Sequence, residues 1–110
     1  MWIDEIANND CIIDGIVVNS LGYFISIKMW NGATKQIQFN SCWGIKEKNG
    51  INEEIGNILV KKTNLYQEIA QDVIAGGGSE LELDKVKDIV FYDAWNERII
   101  LEILAEDITW

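Results

Sequence analysis

Apolar and polar side chains alternate over much of residues 11–39, which is the pattern of half-buried β-strands. In the run 23–30 one side of the predicted strand carries Tyr23, Ile25, Ile27 and Met29. The Asn-Gly pair at 31–32 is a strong hairpin signal, and the returning arm, 34–39, places Ile37 and Phe39 on the apolar side. An earlier run, 11–18, precedes the turn sequence NSLG. We therefore predict a three-stranded antiparallel meander.

The pattern weakens in the middle of the chain. Residues 42–54 are rich in turn formers and polar after Trp43, and we predict turns there. Residues 55–62 fit either a helical stripe or a strand face. A strand is favoured because Gly56 would destabilise a helix interior by about 1 kcal/mol.

A change to helical spacing follows at Asn64. Asn64 can cap a helix, Gln67 stands three positions later as in a capping box, and Gly76 is placed to end the helix in a left-handed conformation. The apolar stripe consists of Leu65, Tyr66, Ile69 and Val73. We predict one principal helix near residues 64–75.

The last third of the chain returns to strand patterns. Residues 80–84 predict an edge strand or extended loop whose outer side carries Glu80, Glu82 and Asp84. Residues 90–104 predict a β-hairpin with its turn at Asn96 and Glu97, so that Phe91 faces Glu102. Together these elements predict a single α+β domain over residues 1–110, with an antiparallel sheet of five to seven strands.

Glu102 interrupts an otherwise apolar strand, and three interpretations are open. Arg98 can pair with Asp93 while Glu102 turns to solvent or to a covering loop. Asp93 and Glu102, diagonal neighbours in the predicted register, can instead form a catalytic or ligand-binding pair in a pocket, with each raising or lowering the pKa of the other. In the third interpretation both acids belong to a recognition surface beside the aromatic Trp95.

The first interpretation is favoured for the two side chains themselves, and the charge of the chain indicates which partner the third would need. Acids outnumber bases 18 to 9, so the formal net charge is −9, and residues 56–110 contain eleven acids against five bases. Such a field repels nucleic acid and anionic membranes and attracts a basic protein.

The residue types leave little room for catalysis. Histidine is absent, which excludes the usual triads and zinc centres. Cys11 and Cys42 are read as reduced thiols in the core. The segment GGGSE follows a helix and has no lysine, unlike a phosphate loop, and the segment ELELDKVKD has Lys85 where a calcium loop needs glycine. We predict no enzyme activity, no metal and no cofactor.

The first ten residues carry three acids and no base, which is unlike a secretory signal or a transit peptide, and no apolar run reaches the length of a bilayer span. A cytoplasmic location is therefore expected. Trp30 and Trp95 flank predicted hairpin turns, where an indole can stay half exposed.

The terminal strand, turn and strand FYDAWNERIILEILAEDI, in a compact and strongly acidic chain, resembles the immunity proteins that bacteria carry beside polymorphic and contact-dependent inhibition toxins. Such families are structurally diverse, so the resemblance implies a function and no particular fold. It implies a monomer or homodimer that neutralises a basic toxin domain, most simply a nuclease. The candidate contact residues are Glu80, Glu82, Asp84, Asp93, Trp95, Glu97 and Glu102.

Overall fold

Six strands and one helix make up the regular structure of the described chain. The computed structural model describes residues 6–7, 9–60, 64–78 and 85–109. The strands are β1 (Ile12–Asn19), β2 (Gly22–Lys28), β3 (Thr34–Glu47), β4 (Ile55–Val60), β5 (Lys87–Asp93) and β6 (Ile99–Thr109), and the helix α1 spans Asn64–Ala75. All pairings are antiparallel, in the spatial order β1-β2-β3-β6-β5-β4. The predicted α+β class is confirmed.

The predicted meander is present with its expected sides. Asn19 pairs with Gly22 across a two-residue turn, and the Asn19 side-chain oxygen accepts a hydrogen bond of 2.8 Å from the backbone N–H of Leu21. Ile25 and Ile37 face each other on the buried side. The period-2 alternation was a sufficient guide because one side of each strand packs into the core.

The predicted turns at 42–54 are wrong for their first half. β3 continues to Glu47, with an irregularity between Cys42 and Gly44, and pairs with β6 as far as the Glu47–Leu101 pair. The polar side chains of Lys46 and Glu47 are exposed. Pairing with the buried strand β6 satisfies the backbone hydrogen-bonding groups of this segment. This pairing overrides the local preference for turns.

The start of β1 contacts the segment that leads into β4, so the two edges of the sheet approach each other there. The backbone N–H of Ile13 donates to the carbonyl of Glu53 at 3.2 Å, and the Ile13 carbonyl accepts from Asn52 at 2.7 Å. The N–H of Ile55 donates to the carbonyl of Cys11 at 2.8 Å. We call this contact between residues 10–13 and 51–55 the seam.

The main core fills the inner side of the curled sheet. Its fully buried side chains include Ile13, Ile25, Ile27, Ile37, Phe39, Ile55, Ile89, Phe91, Leu101 and Ile103. Each such side chain contributes about 1.5–3 kcal/mol of burial free energy. Closing the seam therefore encloses a core to which all six strands contribute.

Helix α1 lies on the other side of the sheet. Tyr66, Ile69 and Val73 of the predicted stripe pack in a second cluster with Leu104 and Trp43, whereas the side chain of Leu65 lies outside the described residues. The predicted β4 strand is confirmed as far as Val60, and residues 61 and 62 also lie outside the description.

The end of the helix differs from the prediction by one residue. Gly77, and not Gly76, has the positive φ, 90°. Its N–H donates to the carbonyl of Ile74 at 3.1 Å, and the N–H of Gly78 donates to that of Val73 at 2.8 Å. These two bonds define a Schellman ending, in which the left-handed residue follows the C-cap.

Candidate functional site

The β5–β6 hairpin has a different register from the predicted one. Val90, not Phe91, lies opposite Glu102, and Phe91 pairs with Leu101. The register shifts after Phe91, so that Tyr92 pairs with Ile99. The turn is longer than two residues, and the shifted register lets both Phe91 and Leu101 reach the main core.

This register separates the two acids that the sequence placed together. Asp93 lies on the same side of β5 as Phe91, and it pairs with the core residue Ile55. Glu102 lies on the opposite side of the sheet with Val90. Because successive strand side chains point to opposite faces, Asp93 and Glu102 do not share a pocket. The predicted diagonal pair is wrong.

Glu102 is also not displayed to solvent. Its exposed fraction is 3%, and Asp88, a buried acid that the sequence reasoning missed, is exposed by only 2%. Asp88 pairs with Leu104, next to Glu102 on the helix side of the sheet. A side chain this deeply buried makes no direct contact with a docking protein, so the contact role predicted for Glu102 has no geometric support. Asp88 stands two positions before Val90, and this spacing was the one sequence signal that placed Asp88 on the helix side of the sheet.

Asp93 organises the turn formed by residues 94–98. Its side-chain oxygen accepts hydrogen bonds from the backbone N–H groups of Asn96 at 2.7 Å and Arg98 at 3.3 Å, and its other oxygen lies 3.6 Å from Nε of Arg98. Burial raises the pKa of Asp93, but the backbone donors and the Arg98 charge outweigh it and hold the pKa below its ordinary value. The predicted Arg98–Asp93 pair is confirmed, and Asp93, 3% exposed, is a structural group and not a displayed one.

The same turn displays Trp95 and Glu97. The Trp95 side chain is 78% exposed. Glu97 is exposed, and its backbone is left-handed with φ 52°. It lines an open groove of about 370 Å³ together with Gly56 and Tyr92. Both residues are therefore accessible, whereas Glu80, Glu82 and Asp84 lie outside the described residues.

The turn is joined to the seam by its backbone and by Arg98. The N–H of Ala94 donates to the carbonyl of Glu54 at 3.0 Å. Arg98 donates to the carbonyl of Lys48 at 3.0 Å and lies 3.7 Å from the carboxylate of Glu53. Trp95 is thus presented on a turn held from two sides.

Two further acids meet at the seam, and sequence reasoning missed both. The pKa of Glu54 is raised, above all by the hydrogen bond that its carboxyl group can share with that of Asp10, and further by burial and by the negative charge of Asp10. A hydrogen bond between two carboxyl groups requires a proton, which is why the pair favours the protonated form. No sequence signal links residues 44 positions apart in this way.

Trp30 reaches the same region from the β2–β3 turn. Cys11 follows Asp10, and its sulfur lies 3.8 Å from Sδ of Met29, the residue before Trp30. The Trp30 side chain is 72% exposed, as its position beside a turn predicted. We use the name seam surface for the side chains at the seam and on the two neighbouring turns, which are Asp10, Trp30, Glu53, Glu54, Trp95 and Glu97.

The described residues include potential metal ligands and two thiols. No three Cys, Asp or Glu side chains among them are grouped so as to hold a metal ion. Cys11 and Cys42 are free, as predicted, and burial raises the pKa of both thiols, which disfavours the nucleophilic thiolate.

Comparison of the chain with protein-family models, curated proteins and solved structures finds no match. Within the described ranges, no helix combines the length and the apolar character that crossing a membrane requires.

Proposed function

We propose that this protein binds a basic protein partner through the seam surface, and that it acts as a cytoplasmic immunity protein that neutralises a basic toxin domain. The observation that carries the proposal is the presentation of Trp95, 78% exposed, on a turn fixed by Asp93 and Arg98 beside the seam acids. The toxin as partner is suggested by the resemblance of the terminal hairpin to immunity proteins.

The aromatic groups would supply most of the affinity. Tryptophan is enriched among the few residues that dominate binding free energy, and its large area is buried at a low entropic cost. The hydrogen bonds of Asp93 restrain the turn before binding. Preorganisation of this kind reduces the ordering cost of association.

The carboxylates would supply steering and specificity. The chain has a formal net charge of −9, and Glu53 and Glu97 are acids of the seam surface. Opposite fields raise association rates by about 10- to 1,000-fold at low ionic strength. The proposed binding is non-catalytic, and it requires no cofactor.

The direct test is to mix the protein with the product of the gene immediately upstream. We expect a complex at low salt that weakens as salt screens the charges, and protection of cells that express that neighbour. Absence of both complex and protection would reject the proposed partner.

A variant pair tests the surface itself. Trp95→Ala is expected to weaken the complex on the order of 30-fold, which corresponds to about 2 kcal/mol. Ile74→Ala is the matched control because Ile74 is an exposed apolar residue of α1, on a different element. Equal affinities of the two variants would exclude Trp95 as an anchor, even if the complex forms.

A further inference from the structure

The β1–β2 hairpin is a charge-free part of a highly charged molecule. Residues 15–27 contain no Asp, Glu, Lys or Arg, although such residues make up 25% of the chain. Three large apolar side chains of this hairpin are exposed, Val17 by 53%, Val18 by 56% and Leu21 by 72%. The hairpin thus combines neutrality with apolar exposure.

Strand β1 is an edge of the sheet, and only its first part is covered. The backbone contacts of the seam reach β1 up to Ile13. From Gly15 to Asn19, no strand of the described chain pairs with the outer side of β1. A Cβ atom built on Gly15 meets nothing within 4 Å. Proteins usually protect such edges with charged side chains, proline or covering segments, and this part of β1 has none of these in the described structure.

We infer that a second copy of the chain occupies this edge, by antiparallel pairing of β1 with β1 of the partner across a two-fold axis near Val17. A two-fold interface must be self-complementary, and an uncharged antiparallel strand meets that requirement. Elsewhere, two copies that each carry a net charge of −9 repel one another. The neutral hairpin is the place where this repulsion is weakest.

The register about Val17 also separates the nearest acids. Pairing of Val17 with its symmetry mate sets Asp14 opposite Ser20 of the partner, and not opposite the second Asp14. Six residues of extended strand separate the two positions by roughly 20 Å, which is beyond the screening length at physiological salt. Val17 of each copy would then gain apolar contact with the other, and the sheet would continue from one copy to the next.

The seam surface would remain free in this dimer. It lies at the start of β1 and on the β2–β3 and β5–β6 turns, whereas the inferred contact uses residues 15–19, the uncovered part of β1 that pairs with itself about Val17. Each copy in the dimer can therefore bind its own partner. The inference does not depend on the proposed function.

Sedimentation velocity of the full chain over a wide concentration range tests the dimer. We expect the wild-type protein to shift from monomer to dimer as concentration rises. Val17→Lys places two lysines opposite each other at the axis and is expected to weaken dimerisation by more than about tenfold. Val60→Lys is the matched control, because Val60 is 55% exposed on the other edge strand and the substitution adds the same charge. A wild-type protein that stays monomeric at the highest concentration, or equal loss in both variants, overturns the inference.

Cross-linking supplies a second, geometric test. Val17→Cys should form an intermolecular disulfide on mild oxidation, because symmetry mates at the axis are within disulfide reach. Val60→Cys contains the same native thiols and should remain monomeric. Circular dichroism and thermal unfolding establish that each variant is folded. Cross-linking of Val60→Cys in preference to Val17→Cys would assign the contact to β4 and reject β1.

Discussion

The two halves of β1 differ in whether their outer edge is covered. At its start, the edge is closed by backbone hydrogen bonds from residues 52–55, and acids gather over the closure. Beyond Gly15, the edge is uncovered in the described structure, apolar and without charge. A single strand thus has one half completed within the chain and one half that another molecule can complete. The comparison shows that the edge of a sheet is defined by its neighbours and not by the strand's own sequence.

The largest expected effect is a loss of stability when a methyl group is added at Gly56, beside the seam. In Gly56→Ala the new Cβ would lie 2.6 Å from Cα of Ala94 and 2.7 Å from the carbonyl oxygen of Asp93, so the backbone at the seam must move. Overpacking of this kind is expected to lower the free energy of unfolding by about 1–3 kcal/mol.

Gly15→Ala is the matched substitution in the open half. The added methyl group has free space, and the residue loses backbone freedom in the unfolded chain, so a gain of up to about 1 kcal/mol is expected. Chemical denaturation of both variants gives the comparison. Equal destabilisation would mean that the backbone at Gly15 is as constrained as the backbone beside the seam at Gly56.

A smaller loss of stability is expected when Asp93, which holds the turn beside the seam, loses its charge. The pKa of Asp93 is lowered in the folded protein, so its ionised form stabilises the fold at pH values above the unfolded pKa of about 3.9. This contribution is lost as the pH falls through the lower folded-state pKa. Asp93→Asn should therefore be less stable than wild type at pH 7, and the difference should diminish in acid.

Asp14→Asn provides the control for Asp93→Asn, because Asp14 is an exposed aspartate at the open end of the seam. Thermal unfolding of both variants from pH 7 to pH 3 would separate a local role of Asp93 from a general effect of net charge. A parallel loss in the two variants would contradict the structural role.

The smallest expected effect concerns the acid pair over the seam. The pKa of Glu54 is raised, so the contribution of its hydrogen bond with Asp10 is present below the unfolded pKa and is lost as the pH rises through the folded pKa. Glu54→Gln keeps a donor and removes the charge. We expect this variant to be slightly more stable than wild type at neutral pH and no more stable in acid.

Glu53→Gln is the counterpart of Glu54→Gln. It removes the neighbouring charge that pairs with Arg98 at 3.7 Å, and it should not produce the same stabilisation at neutral pH. A pH profile of unfolding that is unchanged in Glu54→Gln would exclude proton sharing across the seam.

The candidate site was only partly readable from sequence. Trp30 and Trp95 were correctly expected at exposed positions because both flank turns, and the Asp93–Arg98 pair followed from hairpin spacing. Glu102 was misplaced because a single shift of register moves a side chain to the other face of a sheet. The Asp10–Glu54 contact had no local signal at all.

What the sequence by itself determined was the set of elements. Alternation defined the meander, helical spacing defined α1, and the surplus of acids defined the net charge of −9. The tertiary structure decided the extension of β3, the register of β6 and the seam. These depend on pairing between residues far apart in the chain, and local periodicity carries no information about which strand edge a segment will meet.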